Sequence, residues 1–232
     1  RGGRPGGEGG SRRGACGRLA TWANRRGMAG VLCVCGSHVN TGARVETNTE
    51  FDDDAFKSFT ATSVARIGRI VDVNKGNLEK HLRYLDGPSY RVARTRSALK
   101  CEPDFETRIV SLTEFPGMDY NLLKRLHKDH NKKGFIIRAF GAGDMSTSSI
   151  DALEYLKDKE VPVVVTTQAP NGNANLQVNE PGQELADLEL VIPAFDMSIE
   201  SQTAKLMWLL AKKGMGEINY EQLKERMRVD LH

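Results

Sequence analysis

Four apolar runs mark the second half of the chain: Ile109–Thr113, Phe135–Phe140, Val161–Thr167 and Leu188–Phe195. Each is short, rich in β-branched residues and bounded by polar or turn-forming positions, the pattern of a buried strand. Between the first three runs the apolar period lengthens to three or four residues. Leu122, Leu123 and Leu126 share one face of Asp119–His127, and Ile150, Leu153 and Leu156 share one face of Ser148–Leu156. Strands alternating with helices require crossover connections, so the pattern predicts a parallel sheet covered on both sides. After the fourth run, Ser198 is placed to cap a helix whose Ile199, Thr203, Leu206 and Leu210 fall on one face, closed by Gly214. Asn219 opens a last helix with Tyr220, Leu223 and Met227 inward.

The first half is patterned more weakly. Val31 to Cys35 reads as a strand ending at Gly36, Val39 to Arg44 as its returning hairpin arm, and Ile67 to Val73 as another strand. Asp52, Asp53 and Asp54 suit a helix or turn start, where carboxylates are favoured. Residues 75–106 are charged and poorly patterned, with Arg91, Arg94 and Arg96 clustered, and read as a linker carrying a loosely attached hairpin. Positions 1–17 hold eight glycines and almost nothing apolar, so they cannot bury enough surface to offset their ordering entropy and are expected to be disordered. The expected fold class is therefore α/β. The remnant of an N-terminal α/β domain, 18–74, is followed by the linker and by a smaller parallel-sheet α/β domain, 107–232.

Composition changes this picture in one respect. The net charge of +3 suggests a basic protein, but residues 1–18 carry five arginines against Glu8. Without them 28 basic face 29 acidic residues, so the body has no nucleic-acid signature. The tail has one Arg-Gly-Gly and no aromatic, which also argues against an RNA-binding segment. No apolar run approaches the roughly 20 residues that cross a bilayer, and the expectation is a cytoplasmic protein away from membranes. The four cysteines (Cys16, Cys33, Cys35 and Cys101) form no secreted disulfide framework and read as reduced thiols.

Candidate chemistry concentrates where the apolar run Phe135–Phe140 enters the turn Gly141-Ala142-Gly143-Asp144, about twenty residues after Phe115-Pro116-Gly117-Met118-Asp119. A buried strand ending in such a turn delivers polar residues to the carboxyl edge of a parallel sheet, where open α/β sheets place ligands. These two segments resemble the C-terminal domain of cytoplasmic (type I) L-asparaginases. Thr166-Thr167-Gln168 with Gly172 is similar to the family's Thr-Gln plus Gly loop, and Asp196-Met197-Ser198 through Lys205-Leu206 to its entry into a late helix. Gly42 to Ser58 is similar to the segment that ends the family's N-terminal domain, here Asp54-Ala55-Phe56-Lys57-Ser58. The resemblance covers about residues 20–232 and makes 18–74 the remnant of an amidase domain.

The resemblance implies an amidohydrolase that turns L-asparagine into L-aspartate and ammonia. Its nucleophile is a threonine, helped by a second threonine, an aspartate and a lysine, in homodimers or tetramers with sites shared between protomers, without cofactor or metal. A threonine hydroxyl is a weak nucleophile until a base activates it, and the amide oxyanion needs preorganised donors. The family's Thr-Gly-Gly-Thr and Asp-Gly-Thr-Asp-Thr motifs occur nowhere in these 232 residues, and Thr47 stands at the lysine position, with Glu46 one residue away. No catalytic set is complete, so this chain is expected to be inactive alone. The non-Met start and the close at Asp230-Leu231-His232 read as a fragment of a longer parent.

Three site residues carry over. Asp144 stands where the family has an asparagine that reaches the partner's substrate across the dimer interface. A residue there can equally serve as a helix cap. Arg138 matches an effector-binding arginine and Gln168 lies near it, while Glu46 is a candidate internal partner for the guanidinium. A second reading with the same chemistry is the amidase subunit of a tRNA-dependent amidotransferase, whose corresponding segment ends Arg-Asp-Ala-Phe-Arg-Ser. A third is a catalytically dead protein that senses asparagine. Weaker signals are Cys33-x-Cys35-x-x-His38, which lacks a fourth metal ligand, and His127-x-x-His130, read as a solvated helix end. Gly141-x-Gly143 is too short for a dinucleotide fingerprint, and Asp52–Asp54 lacks the spacing of a calcium loop.

Overall fold

The structure is a computed structural model. It describes residue 20 and residues 31–35, 38–50, 55–58, 66–70, 82–83, 101–170 and 172–229. The chain divides into two compact units, Arg1–Leu99 with Leu231–His232, and Lys100–Asp230. The expected disorder of 1–17, the acidic start at Asp52–Asp54 and most of the linker 75–106 lie outside the described residues.

In the first unit, β1 (Leu32–Cys35) and β2 (His38–Thr41) form the expected antiparallel hairpin, with Cys35 opposite His38. A bulge between Val39 and Asn40 lets β2 pair on its other side with β5 (Arg66–Ile70), which pairs in turn with β6 (Leu82–Arg83). Gly42–Arg44 turns the chain as a 3-10 helix, so the hairpin arm stops at Thr41 rather than at Arg44. A separate ribbon joins β3 (Val45–Thr47) to β4 (Phe56–Ser58), with Glu46 opposite Lys57 and Thr47 opposite Phe56.

The second unit is the predicted parallel sheet, in the order Ile192–Pro193 (β10), Val163–Thr167 (β9), Gly134–Ala139 (β8) and Ile109–Thr113 (β7). β7, β8 and β9 each lie where an apolar run predicted a strand. Three helices cover one face: α1 (Asn121–His130), α2 (Ile150–Asp158) and α3 (Glu180–Asp187). Leu123, Leu153, Leu156 and Leu185 of these helices pack on Phe135, Ile137, Val163 and Val165. The opposite face presents Ile136 and Val164 to α4 (Ile199–Gly214) and α5 (Tyr220–Arg228), which contribute Leu206, Leu209, Leu223 and Met227. The strict alternation of β8, with Phe135 and Ile137 on one side and Ile136 on the other, is the strand period of two; each such burial contributes about 1.5–3 kcal/mol.

Helix ends follow the sequence closely. Ser198 Oγ accepts from Ser201 N, and Asn219 and Gln222 exchange bonds of 2.8 and 3.0 Å in a capping box. The fourth run departs from expectation, because only Ile192–Pro193 pairs with β9 and forms β10. Leu188 instead caps α3, Glu189 and Phe195 adopt positive φ, and Pro193 has no N–H to donate. Helix α3 falls in a stretch for which no element was expected. Proline is tolerated in the first helical turn, and Gly182 is needed because a Cβ there would sit 2.8 Å from the Leu176 carbonyl oxygen.

Candidate functional site

The carboxyl ends of β7, β8 and β9 are tied together by Glu114, which directly follows β7. Its amide donates to the Arg138 carbonyl at 3.0 Å, and its own carbonyl accepts from Gln168 Nε2 at 2.8 Å. Its carboxylate is buried; Oε1 accepts from the Tyr120 hydroxyl and from Ser146 N at 3.0 Å, while Oε2 has no partner. One residue thereby links the turn after β7, the turn after β8 and the end of β9. Burial, reinforced by the adjacent Glu114 carboxylate, raises the Tyr120 pKa above the ordinary tyrosine range. The hydroxyl therefore stays protonated and available to donate.

Gln168 completes the tie, donating from Nε2 to the Arg138 carbonyl at 2.9 Å as well as to Glu114. Its amide nitrogen is thus committed to main-chain oxygens, and the structure places it against Arg138 through the backbone. Arg138 sits in β8 opposite Thr113 on one side and Thr166 on the other, half-buried. Residues in register share a face, so its side chain leaves the sheet on the α4 face, opposite the face that buries Glu114. There Gln202, in the first turn of α4, donates to Thr166 Oγ1 at 3.0 Å and to the Met197 carbonyl at 2.6 Å. Among the described residues the Arg138 guanidinium has no ion-pair or hydrogen-bond partner.

Asp144 follows the turn at the same edge. Gly141 and Gly143 take φ of 49° and 107°, a tight geometry that favours glycine, and Phe140 and Asp144 bridge across it. Thr167 Oγ1 secures the turn by donating to the Gly141 carbonyl at 2.6 Å. Asp144 does not cap the next helical element, a 3-10 turn at Thr147–Ser149, because Ser146 does so by accepting from Ser148 N. Its carboxylate instead accepts from Asn179 Nδ2 at 2.5 Å, at the start of α3. Arg138, Asp144 and Gln168 therefore all lie at the carboxyl edge of one sheet.

Thr47 and Glu46 belong to the first unit, Thr47 exposed on β3 and Glu46 half-buried beside it. His127 differs from the solvated end expected of it. It is half-buried, its Nδ1 lies 2.9 Å from the Lys132 carbonyl, and its ring meets Tyr155 edge-on. Among the described residues no group of His, Cys, Asp and Glu is disposed to hold a metal, and no helix is long and apolar enough to cross a membrane. Glu114 and Tyr120 were missed in the sequence. The available signal was an acidic residue closing an apolar strand just before Phe115-Pro116-Gly117.

Residues 108–224 match the family described as Glutaminase/Asparaginase C-terminal domain. The chain is 34% identical over 171 residues to a glutamyl-tRNA(Gln) amidotransferase subunit of Aeropyrum pernix, spanning 74% of this chain but 37% of that protein. The same subunit in Methanococcus maripaludis is 29% identical over 82% of this chain and 42% of its own length. Among solved structures, the L-asparaginase of Thermococcus kodakarensis superposes with a TM-score of 0.68 at 25% identity, covering 92% of this chain and 59% of that one. L-asparaginase I of Vibrio cholerae gives 0.66 at 23% identity, covering 88% and 57%, a likeness of fold. The chain therefore belongs to the glutaminase/asparaginase family, whose C-terminal domain it carries in residues 108–224.

Proposed function

We propose that this chain is part of the amidase component of a tRNA-dependent amidotransferase, which releases ammonia from an amide for use on a charged tRNA. The observation that carries this reading is the 34% identity to a glutamyl-tRNA(Gln) amidotransferase subunit over 74% of the chain. It reverses the order expected from sequence, where hydrolysis of free L-asparagine came first and the amidotransferase second. Within the reading, Arg138 supplies a bidentate grip for an amino-acid carboxylate, since its fork of donors is uncommitted at the ligand edge of the sheet. Asp144 supplies a carboxylate facing the site of a second protomer, and the assembly is a homo-oligomer that works with further subunits. The nucleophile comes from residues other than these 232, because neither threonine motif is among them. A binding-only role as an asparagine sensor rests on the same unpaired Arg138.

The test is a hybrid in which residues 107–229 replace the corresponding domain of the Aeropyrum pernix protein. Ammonia release dependent on charged tRNA and the companion subunits supports the reading. A folded hybrid that hydrolyses free asparagine independently of them returns the assignment to an asparaginase, and one inert in both assays refutes the amidase role.

A further inference from the structure

The amino edge of the parallel sheet, opposite the edge described above, holds a concave feature. A cavity of about 250 Å³ opens where β7, β8 and β9 begin and where α1, α2 and α4 end. Its lining includes Arg108, Lys133, Lys159 and Lys213 with His127, against two carboxylates, Glu106 and Glu160. Helix C-termini carry negative partial charge, and lysines beside them ordinarily answer it. That explanation covers Lys213, which donates to the Glu160 carbonyl at 3.3 Å and pairs with its carboxylate at 2.9 Å. It also covers Lys157, which donates to the Leu188 carbonyl at 2.7 Å. Arg108 is likewise engaged, bound to Glu106 at 2.5 Å.

Lys133 and Lys159 are different. Among the described residues neither ammonium has a carbonyl, carboxylate or ring partner. The backbone of Lys133 is fixed, because its amide donates to the Arg108 carbonyl at 2.7 Å just before β8, while Lys159 is the C-cap of α2. The Arg108 guanidinium bound to it, with Lys133 adding a smaller effect, holds the Glu106 carboxyl down at about 2. The two carboxylates are bound directly by Arg108 and Lys213, which leaves the Lys133 and Lys159 ammoniums at the cavity without a hydrogen-bond or ion-pair partner among the described residues.

We propose that this cavity binds a phosphate group, free or carried on a small sugar, between Lys133 and Lys159. A compact anion with several acceptor oxygens can accept from both ammoniums at once while the cavity walls exclude part of the surrounding water. The site is separate from the carboxyl-edge residues and does not depend on the amidase reading.

The test is thermal unfolding of the full chain in inorganic phosphate and in ribose 5-phosphate, each against sodium chloride of matched ionic strength. A specific ligand at tenfold excess over its dissociation constant should raise Tm by about 3–6 °C. The double variant Lys133→Gln and Lys159→Gln should lose that rise. Tighter binding of ribose 5-phosphate assigns a sugar phosphate, and equal binding assigns the free ion. Equal shifts in chloride, or a shift that persists in the double variant, overturn the proposal. Should the double variant not fold, Lys159→Gln alone, at an exposed helix end, must weaken phosphate binding by about threefold. An unchanged affinity there also overturns it.

Discussion

Replacing Tyr120 by Phe removes one hydroxyl and nothing else from the carboxyl edge of the sheet. That hydroxyl is one of two donors to Oε1 of Glu114, a carboxylate only 3% exposed whose Oε2 already has no partner. Water cannot replace the lost donor at such burial, so the variant forfeits a hydrogen bond to a charged group, about 1.5–3 kcal/mol. For a chain of this size that corresponds to a Tm about 3–12 °C lower. Urea unfolding followed by circular dichroism measures it, with an unchanged m-value confirming that the unfolding reaction is the same. Glu114→Leu closes a double-mutant cycle. It strands the Tyr120 hydroxyl and Ser146 N, and in the double variant the first penalty disappears, so the coupling should be about 1–3 kcal/mol. If Tyr120→Phe costs less than about 0.5 kcal/mol, or the two changes add within about 0.5 kcal/mol, the carboxylate is not the tie inferred for it.

Alkaline pH should destabilise the protein through two tyrosines. Burial raises Tyr120, and burial first and then the Glu221 carboxylate pushes Tyr220 up to about 12. Both raised values stabilise the fold fully below the unfolded pKa of about 10 and progressively less as pH rises through the folded value, so urea midpoints should fall from about pH 10 upward and fall less in Tyr120→Phe. The chain by itself should release no ammonia from asparagine or glutamine above a blank in a coupled assay; turnover that survives stringent purification would place a nucleophile where none is recognised. Asparagine at millimolar concentration should give calorimetric heat that Arg138→Ala abolishes, and the absence of heat in the parent chain would remove the ligand role proposed for Arg138. Gly182→Ala should destabilise α3 by more than helix propensity gains, since the new Cβ would meet the Leu176 carbonyl oxygen at 2.8 Å, and a Tm equal to or above the parent's would contradict that packing.

Local apolar continuity was enough to locate β8 and β9, because a strand buried on both faces needs few polar positions and writes itself as an almost uninterrupted run; β7, at the sheet edge with Ser111 and Thr113 exposed, was legible from its alternating apolar positions. Ser198 and Asn219 were legible as helix starts for a similarly local reason: the bonds they accept come from amides three residues ahead. The family, too, was legible in the Pro-Gly turn and the Gly-x-Gly-Asp turn. Leu188–Phe195 shows where local reading stops. Leu190, Val191, Ile192 and Ala194 are buried while Leu188 and Phe195 at its ends are exposed; Leu190 and Val191 pack as the exit from α3, and only two residues reach the sheet. Burial alone does not specify which backbone partner a residue finds.

The candidate site at the carboxyl edge depended most on tertiary structure. That Asp144 and Arg138 would reach the carboxyl edge follows from their places after a buried run, a matter of sequence. That Asp144 is held by Asn179, 35 positions later, and that Gln168 spends its amide on two main-chain oxygens, could be decided only when distant segments met. The same holds for Glu114, an acidic residue of ordinary appearance that becomes a buried junction because Tyr120 and Ser146 N converge on it. Hydrophobic period and capping are properties of neighbours along the chain and survive in the sequence. Hydrogen-bond complementarity between loops depends on their separation in space, which the packing of α1, α2 and α3 on the sheet sets.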